Sequence, residues 1–205
     1  TVTIVSAGKE KATEAIRTAL AMGADKGILI NDPALENCDG LGTAKVLAKV
    51  VQDLPYDLIL AGQRAVDDDN YLVGAAVADK LGLPLISMVF QEEIKDGQIT
   101  CHKTVDGGNV VVAAALPVLL TTQKGLNEPR YASLPGIMKA KKKPLDTKSL
   151  ADLGLDAAEV GELKTRVVGL KTPPERTAGQ MIDGESAAEK AAALVKALHE
   201  EAKVI

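Results

Sequence analysis

Aromatic side chains are nearly absent from this chain. Its 205 residues hold no Trp, three Tyr and one Phe, together 2%. Modules that stack nucleic-acid bases need an aromatic platform, and this chain can hardly build one. Its charge points the same way. Lys and Arg number 24 against 28 Asp and Glu, a formal net charge of -4, whereas phosphate-backbone binders are usually basic. Cysteine is also scarce. Cys38 and Cys101 lie far apart and outside any CxxC pattern, which argues against a disulfide framework or a cysteine zinc site and makes a reducing compartment the default. Long apolar runs are missing too: residues 110–120 form the longest, broken by Pro117, where a bilayer span needs about 20 residues. The chain opens on Thr1 with no signal segment, so it reads as N-terminally processed or as a fragment.

What is present is aliphatic. A hydrophobic fraction of 46% excludes a mostly disordered chain and predicts a core of Val, Leu, Ile and Ala. The length suits one domain, or one domain plus an arm. Residues 2–5 read as a buried strand. Ala12, Ala15, Ile16, Ala19 and Leu20 then recur at helical spacing, with Gly23 placed as a C-cap. A strand at 27–30, a helix through Leu47, Val50, Val51 and Leu54, a strand at 57–61 and a helix through Val73, Ala76, Val77 and Leu81 follow. Continuous apolar strands alternating with helices predict an α/β fold, a mostly parallel, Rossmann-like sheet covered on both faces. After Pro84 three strands (85–94, 98–105 and 110–120) follow without helices, separated by Lys95-Asp96-Gly97 and Asp106-Gly107-Gly108, and predict antiparallel hairpins. A short basic helix is expected over 136–143. Residues 1–143 form the expected domain. Residues 144–205 are too poor in apolar side chains to hold a core alone, and predict an arm that packs on something else and ends in an amphipathic helix from Ala187.

Two glycine-containing segments compete as ligand sites. Gly40-Leu41-Gly42-Thr43-Ala44-Lys45 resembles a phosphate loop but lacks the third glycine of GxGxxG and the Gly-Lys-Ser/Thr of a Walker loop. A loop with Thr43 capping a helix is the preferred reading. Residues 62–70, GQRAVDDDN, sit at the carboxyl end of a strand and the start of a helix, where open α/β sheets bind ligands. Asp67, Asp68 and Asp69 fit a nucleotide site, a helix N-terminus stabilised by acids, or a cation site, and the residues alone leave the three open. Lys139, Lys141, Lys142 and Lys143 read as a solvated face or as a surface for an acidic partner. Leu134 reads as a hydrophobic staple or an exposed anchor. His102 and His199 stand near no nucleophile motif, so no catalytic residue and no metal ligand is assigned. The pattern is that of a carrier or binding subunit.

Residues 126–143, LNEPRYASLPGIMKAKKK, closely resemble the signature stretch of the electron transfer flavoprotein beta subunit. AIRTALAMGAD at 15–25, GQRAVDDD at 62–69, DGG at 106–108 and PPERTAG at 173–179 are similar to family segments in the family's order. The resemblance implies a heterodimer subunit carrying electrons from flavin dehydrogenases, such as acyl-CoA dehydrogenases, to a membrane quinone oxidoreductase. It implies a structural AMP in the conventional branch, or a second FAD in the bifurcating branch, and a redox FAD held mostly by the alpha subunit. The implied nucleotide site is Ala7 with Gly62, Gln63, Arg64, Ala65, Val66, Asp67, Asp68, Asp69, Asn70, Tyr71, Leu72 and Val73. The implied dehydrogenase contact is Leu134 with Arg130, Tyr131 and Pro135. The C-terminal arm would wrap the alpha subunit, in the bacterial cytoplasm or the mitochondrial matrix.

Tyr71-Leu72-Val73 replaces the conventional branch's Asn-Gln-Thr, which shifts phosphate contact onto backbone N–H groups. Asp68 and Asn70 replace the bifurcating branch's glycine and threonine, which favours AMP over FAD. The family's N-terminal strand-helix unit is absent, which would expose a sheet edge. The competing reading is a stand-alone nucleotide sensor or an ATP-hydrolysing module of related fold.

Overall fold

The computed structural model describes residues 1–176 and 178–205; Thr177, within the PPERTAG segment, lies outside the described residues. The chain forms two compact units, Thr1–Arg166 and Val167–Ile205.

In the first unit, β1 (Thr3–Ala7), α1 (Ala12–Met22) and β2 (Lys26–Ile30) make a parallel crossover in which Val5 pairs with Ile28. Ile16 and Leu20 of α1 lie one turn apart, so both face the core. Gly23 ends the helix at φ 131°, where its N–H reaches the carbonyls of Ala19 and Leu20. Next come α2 (Gly40–Val51), β3 (Leu58–Gly62) and α3 (Val73–Leu81), closed by Gly82 at φ 64°. α2 is buried on two sides. Val46 and Val50 pack with Ile28 and Ile30, while Ala44 and Ala48 pack with Ala76 and Val77 of α3. Alanine on that second side lets the two helices come close.

The hairpin strands are β4 (Leu85–Lys95), β5 (Gln98–Val105) and β6 (Gly108–Ala115), and β4–β5 and β5–β6 pair antiparallel as the turn signals predict. The apolar run at 110–120 is not one hairpin strand. It divides at Pro117, which cannot donate to a ladder, into the end of β6 and the start of β7 (Val118–Thr122). β7 runs parallel to both β3 and β4 in the sheet β3-β7-β4-β5-β6. Val118, Leu119 and Leu120 are completely buried there, and burial of each contributes about 1.5–3 kcal/mol. That burial on both faces explains the run's lack of alternation.

α4 spans Leu134–Ala140, two residues ahead of the expected 136–143, because Ser133 caps it and Pro135 occupies its first turn. Beyond Lys143, where the sequence suggests that an arm begins, β8 (Leu145–Lys148) joins the sheet β1-β2-β8. A short 3-10 turn and α5 (Ala157–Val160) follow, and Leu150, Leu153 and Val160 enter the core beside Ile28, Val46 and Val50. The parallel strands therefore fall into two sheets, with β1 an edge of one and β3 an edge of the other. The fold is mixed α/β with helices on both sides, as expected.

The second unit carries α6 (Ala187–Lys196), capped by Ser186 through the Glu189 N–H and prolonged by a π turn at Ala197–Glu201. None of its described residues is buried. Val168 and Leu170 are 91% and 92% exposed.

Candidate functional site

The loop from β3 to α3 encloses a cavity of about 290 Å³. Gly62, Gln63, Arg64, Ala65, Asp68, Asn70, Leu72 and Val73 line it, and so do Ala61 and Gly74, which sequence reasoning missed. A Cβ on Gly74 would stand 2.7 Å from the Thr121 methyl, so this glycine lets α3 lie on β7; no local pattern pairs Gly74 with a Thr on a distant strand. A Cβ on Gly62 would meet nothing within 4 Å and would face open space. The Gln63 N–H donates to the Thr122 carbonyl at 3.0 Å. Its side-chain Oε1 is buried without a hydrogen-bond partner among the described residues.

The three aspartates are not in the first turn of α3, which contains no acid. They lie in the loop before it, which overturns the reading of a dipole-stabilised N-terminus. Asp69 pairs with Arg64, whose guanidinium also lies over the Tyr71 ring at 5.3 Å. Asp68 accepts from the Asn70 side chain at 2.7 Å, and the Asp67 carboxylate from the Asp68 N–H at 3.1 Å. Asp69 and Tyr71 adopt left-handed φ of 53° and 57°, a conformation costing roughly 1–2 kcal/mol for a residue with a Cβ. Val66, Asp67, Asp69 and Tyr71 belong to the loop but not to the cavity wall, and Ala7 ends β1 against the core around Ile30. Asn70 Oδ1 accepts from the Leu72 N–H at 3.0 Å just ahead of α3, but no capping side chain reaches the helix's own first-turn N–H groups, which are available to a ligand.

The start of α2 is the opposite case. Gly40, Gly42 and Thr43 are helical, and the cap is Asp39, not Thr43. One Asp39 oxygen accepts from the N–H groups of Leu41 and Gly42, each at 3.0 Å; the other accepts from Lys164 and Thr165 at 2.7 and 3.2 Å. These amides, Gly42 and then Lys164 foremost, hold the Asp39 carboxyl below its usual pKa. A built-in anion takes the place a phosphate would need. Gly42 is there for packing: a Cβ would collide with Cys38 Sγ and stand 2.5 Å from the Val160 carbonyl.

Neither thiol is activated, since burial pushes both Cys38 and Cys101 above the usual value. His102 stands edge-on to Phe90 at 6.1 Å, and His199 contacts the Ile205 carbonyl at 2.9 Å.

A second surface is built on α4. Leu134, Ile137 and Met138 share one face by helical spacing and are 80%, 45% and 63% exposed, and Tyr131 stands free in the preceding loop. Leu134 is the first helical residue, after the Ser133 cap, whereas a staple residue precedes the cap, which excludes the staple. Pro135 lies in the first turn and Arg130 is exposed. Exposed Lys139, Lys141 and Lys142 border the apolar face.

Residues 1–153 match the family model for the electron transfer flavoprotein domain. This chain belongs to the electron transfer flavoprotein beta-subunit family. It is 43% identical over its whole length to the electron transfer flavoprotein subunit beta of Bacillus subtilis, covering 79% of that protein. It is 40% identical over 87% of its length to the subunit beta of Bos taurus, and 39% identical over the same share to that of Homo sapiens, covering 69% of each. Membership implies an electron-carrier role and an alpha-subunit partner. No helix among the described residues is long and apolar enough to cross a membrane.

Proposed function

We propose that the chain is the beta half of a heterodimeric electron carrier that accepts electrons from flavin dehydrogenases, such as acyl-CoA dehydrogenases. It passes them to a membrane quinone oxidoreductase. It binds a structural AMP in the β3–α3 cavity, shields the FAD held mostly by the alpha subunit, and presents α4 to the dehydrogenase. FAD supplies the redox chemistry; the residues of this chain bind, cover and orient. The second unit, with its exposed Val168 and Leu170, acts as the arm that packs on the alpha subunit.

The observation that carries the AMP reading is the uncapped start of α3 beside a cavity of about 290 Å³. Ligand pockets run from about 300 to 1,000 Å³, and this one lies at the small end of that range. Tyr71, Leu72 and Val73 offer no side-chain donor suited to a phosphate apart from the tyrosine hydroxyl, which stands outside the wall, so backbone N–H groups of the first turn hold it. The Asp68 carboxylate, which lines the cavity, would accept from donors such as ribose hydroxyls. Carboxylates beside a phosphate would repel it, which puts the sugar on that side.

The test is to co-express the chain with an alpha subunit, denature the purified complex and identify the released nucleotides. One AMP and one FAD per yellow heterodimer are expected. Two FAD, or FAD alone, would refute the AMP assignment, and a colourless monomer would refute the carrier reading.

A further inference from the structure

α4 is held in an unusual way. It has seven residues, too few to be stable alone, and its large apolar side chains point outward. Inward it offers only Gly136, Ala140 and, just beyond its end, Lys143. Ala140 is buried beside Ile16 and Leu20 of α1. Gly136 lies so close to α1 that a Cβ would stand 2.7 Å from the Ala21 carbonyl. The rest of the attachment is polar and crossed. Arg17 of α1 donates to the carbonyls of Ala140 and Lys143 at 2.6 and 2.8 Å, at the C-terminal end of α4. Lys143 donates back to Leu20 and Ala24 at 2.9 and 2.5 Å, at the C-terminal end of α1. Each cation therefore adds a charged donor to carbonyls at the C-terminal end of the other helix, two of which (Leu20 and Ala140) otherwise accept only long turn bonds of 3.3 Å, where the helix dipole favours positive charge.

We infer that Arg17 and Lys143 are positioning residues for partner docking: their crossed hydrogen bonds fix the direction in which α4 presents Leu134, Ile137 and Met138. This rests on the reading that α4 docks a dehydrogenase. Lys143 thereby leaves the basic run, and only Lys139, Lys141 and Lys142 remain to meet an acidic rim. With so little apolar surface holding α4, the geometry of its outward face depends on four charge-assisted bonds. Loss of either cation lets the short helix tilt or fray while β1, β2 and the rest of α1 keep their own packing.

The experiment uses the full heterodimer with a flavin dehydrogenase reduced by its own substrate, and compares Arg17→Met, Lys143→Met, Lys143→Arg and Leu134→Ala. Arg17→Met and Lys143→Met should raise the KM for the heterodimer about tenfold, as loss of a charged hydrogen bond implies, with kcat, flavin spectrum and melting temperature held. Amide exchange should quicken over 134–143 and not in β2. Lys143→Arg should restore a large part of the KM. If Leu134→Ala raises the KM and both methionine variants leave it unchanged, the inference is overturned and the docking reading stands. If Leu134→Ala also has no effect, the docking reading itself fails. A parallel fall of kcat and melting temperature in both variants would show a purely structural role and overturn the inference. Should Arg17→Met not assemble, Lys143→Met and Arg17→Lys carry the same comparison.

Discussion

The two helix starts of the first unit use glycine in opposite ways. α2 begins with its own anion: the Asp39 carboxylate accepts from four backbone N–H groups, and Gly42 is pressed against Cys38 and the Val160 carbonyl. α3 begins with no capping side chain, and Gly62 opens on a cavity. In a linear reading both segments place glycine near a helix start, and only the position of the second at the carboxyl end of a strand favours it. In three dimensions the first is closed and satisfied and the second is open and unsatisfied. A glycine that fits packing and a glycine that admits a ligand cannot be told apart until their neighbours are known.

Substitutions at those two glycines should separate stability from ligand retention. Gly42→Ala forces a Cβ into occupied space, and overpacking of this kind typically costs about 1–3 kcal/mol. In a chain of this length that lowers the melting temperature by roughly 2–4 °C per kcal/mol. Calorimetry should show the drop while bound nucleotide stays stoichiometric; an unchanged melting temperature would mean the contact is not tight. Gly62→Leu adds bulk at the cavity wall, at a position where a Cβ meets nothing within 4 Å. Equilibrium dialysis should show affinity for AMP falling about tenfold, or about 1.4 kcal/mol, with little change in melting. Retained affinity would move the nucleotide elsewhere.

Acid should act on the α2 start first. The folded pKa of Asp39 lies below its unfolded value of about 3.9. Its stabilising contribution is therefore complete above that value and is lost as pH falls through the lower folded one. Amide exchange at Lys164 and Thr165 should quicken over that window in the wild type, and at neutral pH in Asp39→Asn. The effect on global stability should be small, since half-buried Asp39 holds only the first turn of α2 and two loop residues. Equal exchange in both proteins would discard the clamp. The smallest stability effect belongs to Leu134→Ala. At 80% exposure it should alter unfolding by less than about 0.5 kcal/mol; a larger shift in denaturant midpoint would mean that Leu134 packs against this chain after all.

Much of the architecture was legible in the residues. The helical spacing of Ile16 and Leu20, the closing glycines Gly23 and Gly82, and the turns at 95–97 and 106–108 depend on neighbours a few positions away, and each appears in the structure. The cavity at the β3–α3 loop was legible because the carboxyl end of a parallel strand is where such sheets open. Less was legible where distant segments meet. Residues 145–160 read as the start of an arm, yet Leu150, Leu153 and Val160 reach the core because β8 pairs with β2, more than a hundred residues earlier. The position of Asp67, Asp68 and Asp69 ahead of α3 was not legible either, because no capping side chain marks where that helix starts.

The sequence by itself determined the aliphatic core, the alternation of strands and helices, the hairpins and the family, because these rest on local spacing and on short motifs. Only the tertiary structure decided that β7 returns to the middle of a sheet, that the parallel strands divide between two sheets, that Asp39 seals α2 while α3 stays open, and that Arg17 and Lys143 lock α4 to α1. The physical reason is separation along the chain. Arg17 and Lys143 are 126 positions apart, and no local pattern records which carbonyl a distant cation will find.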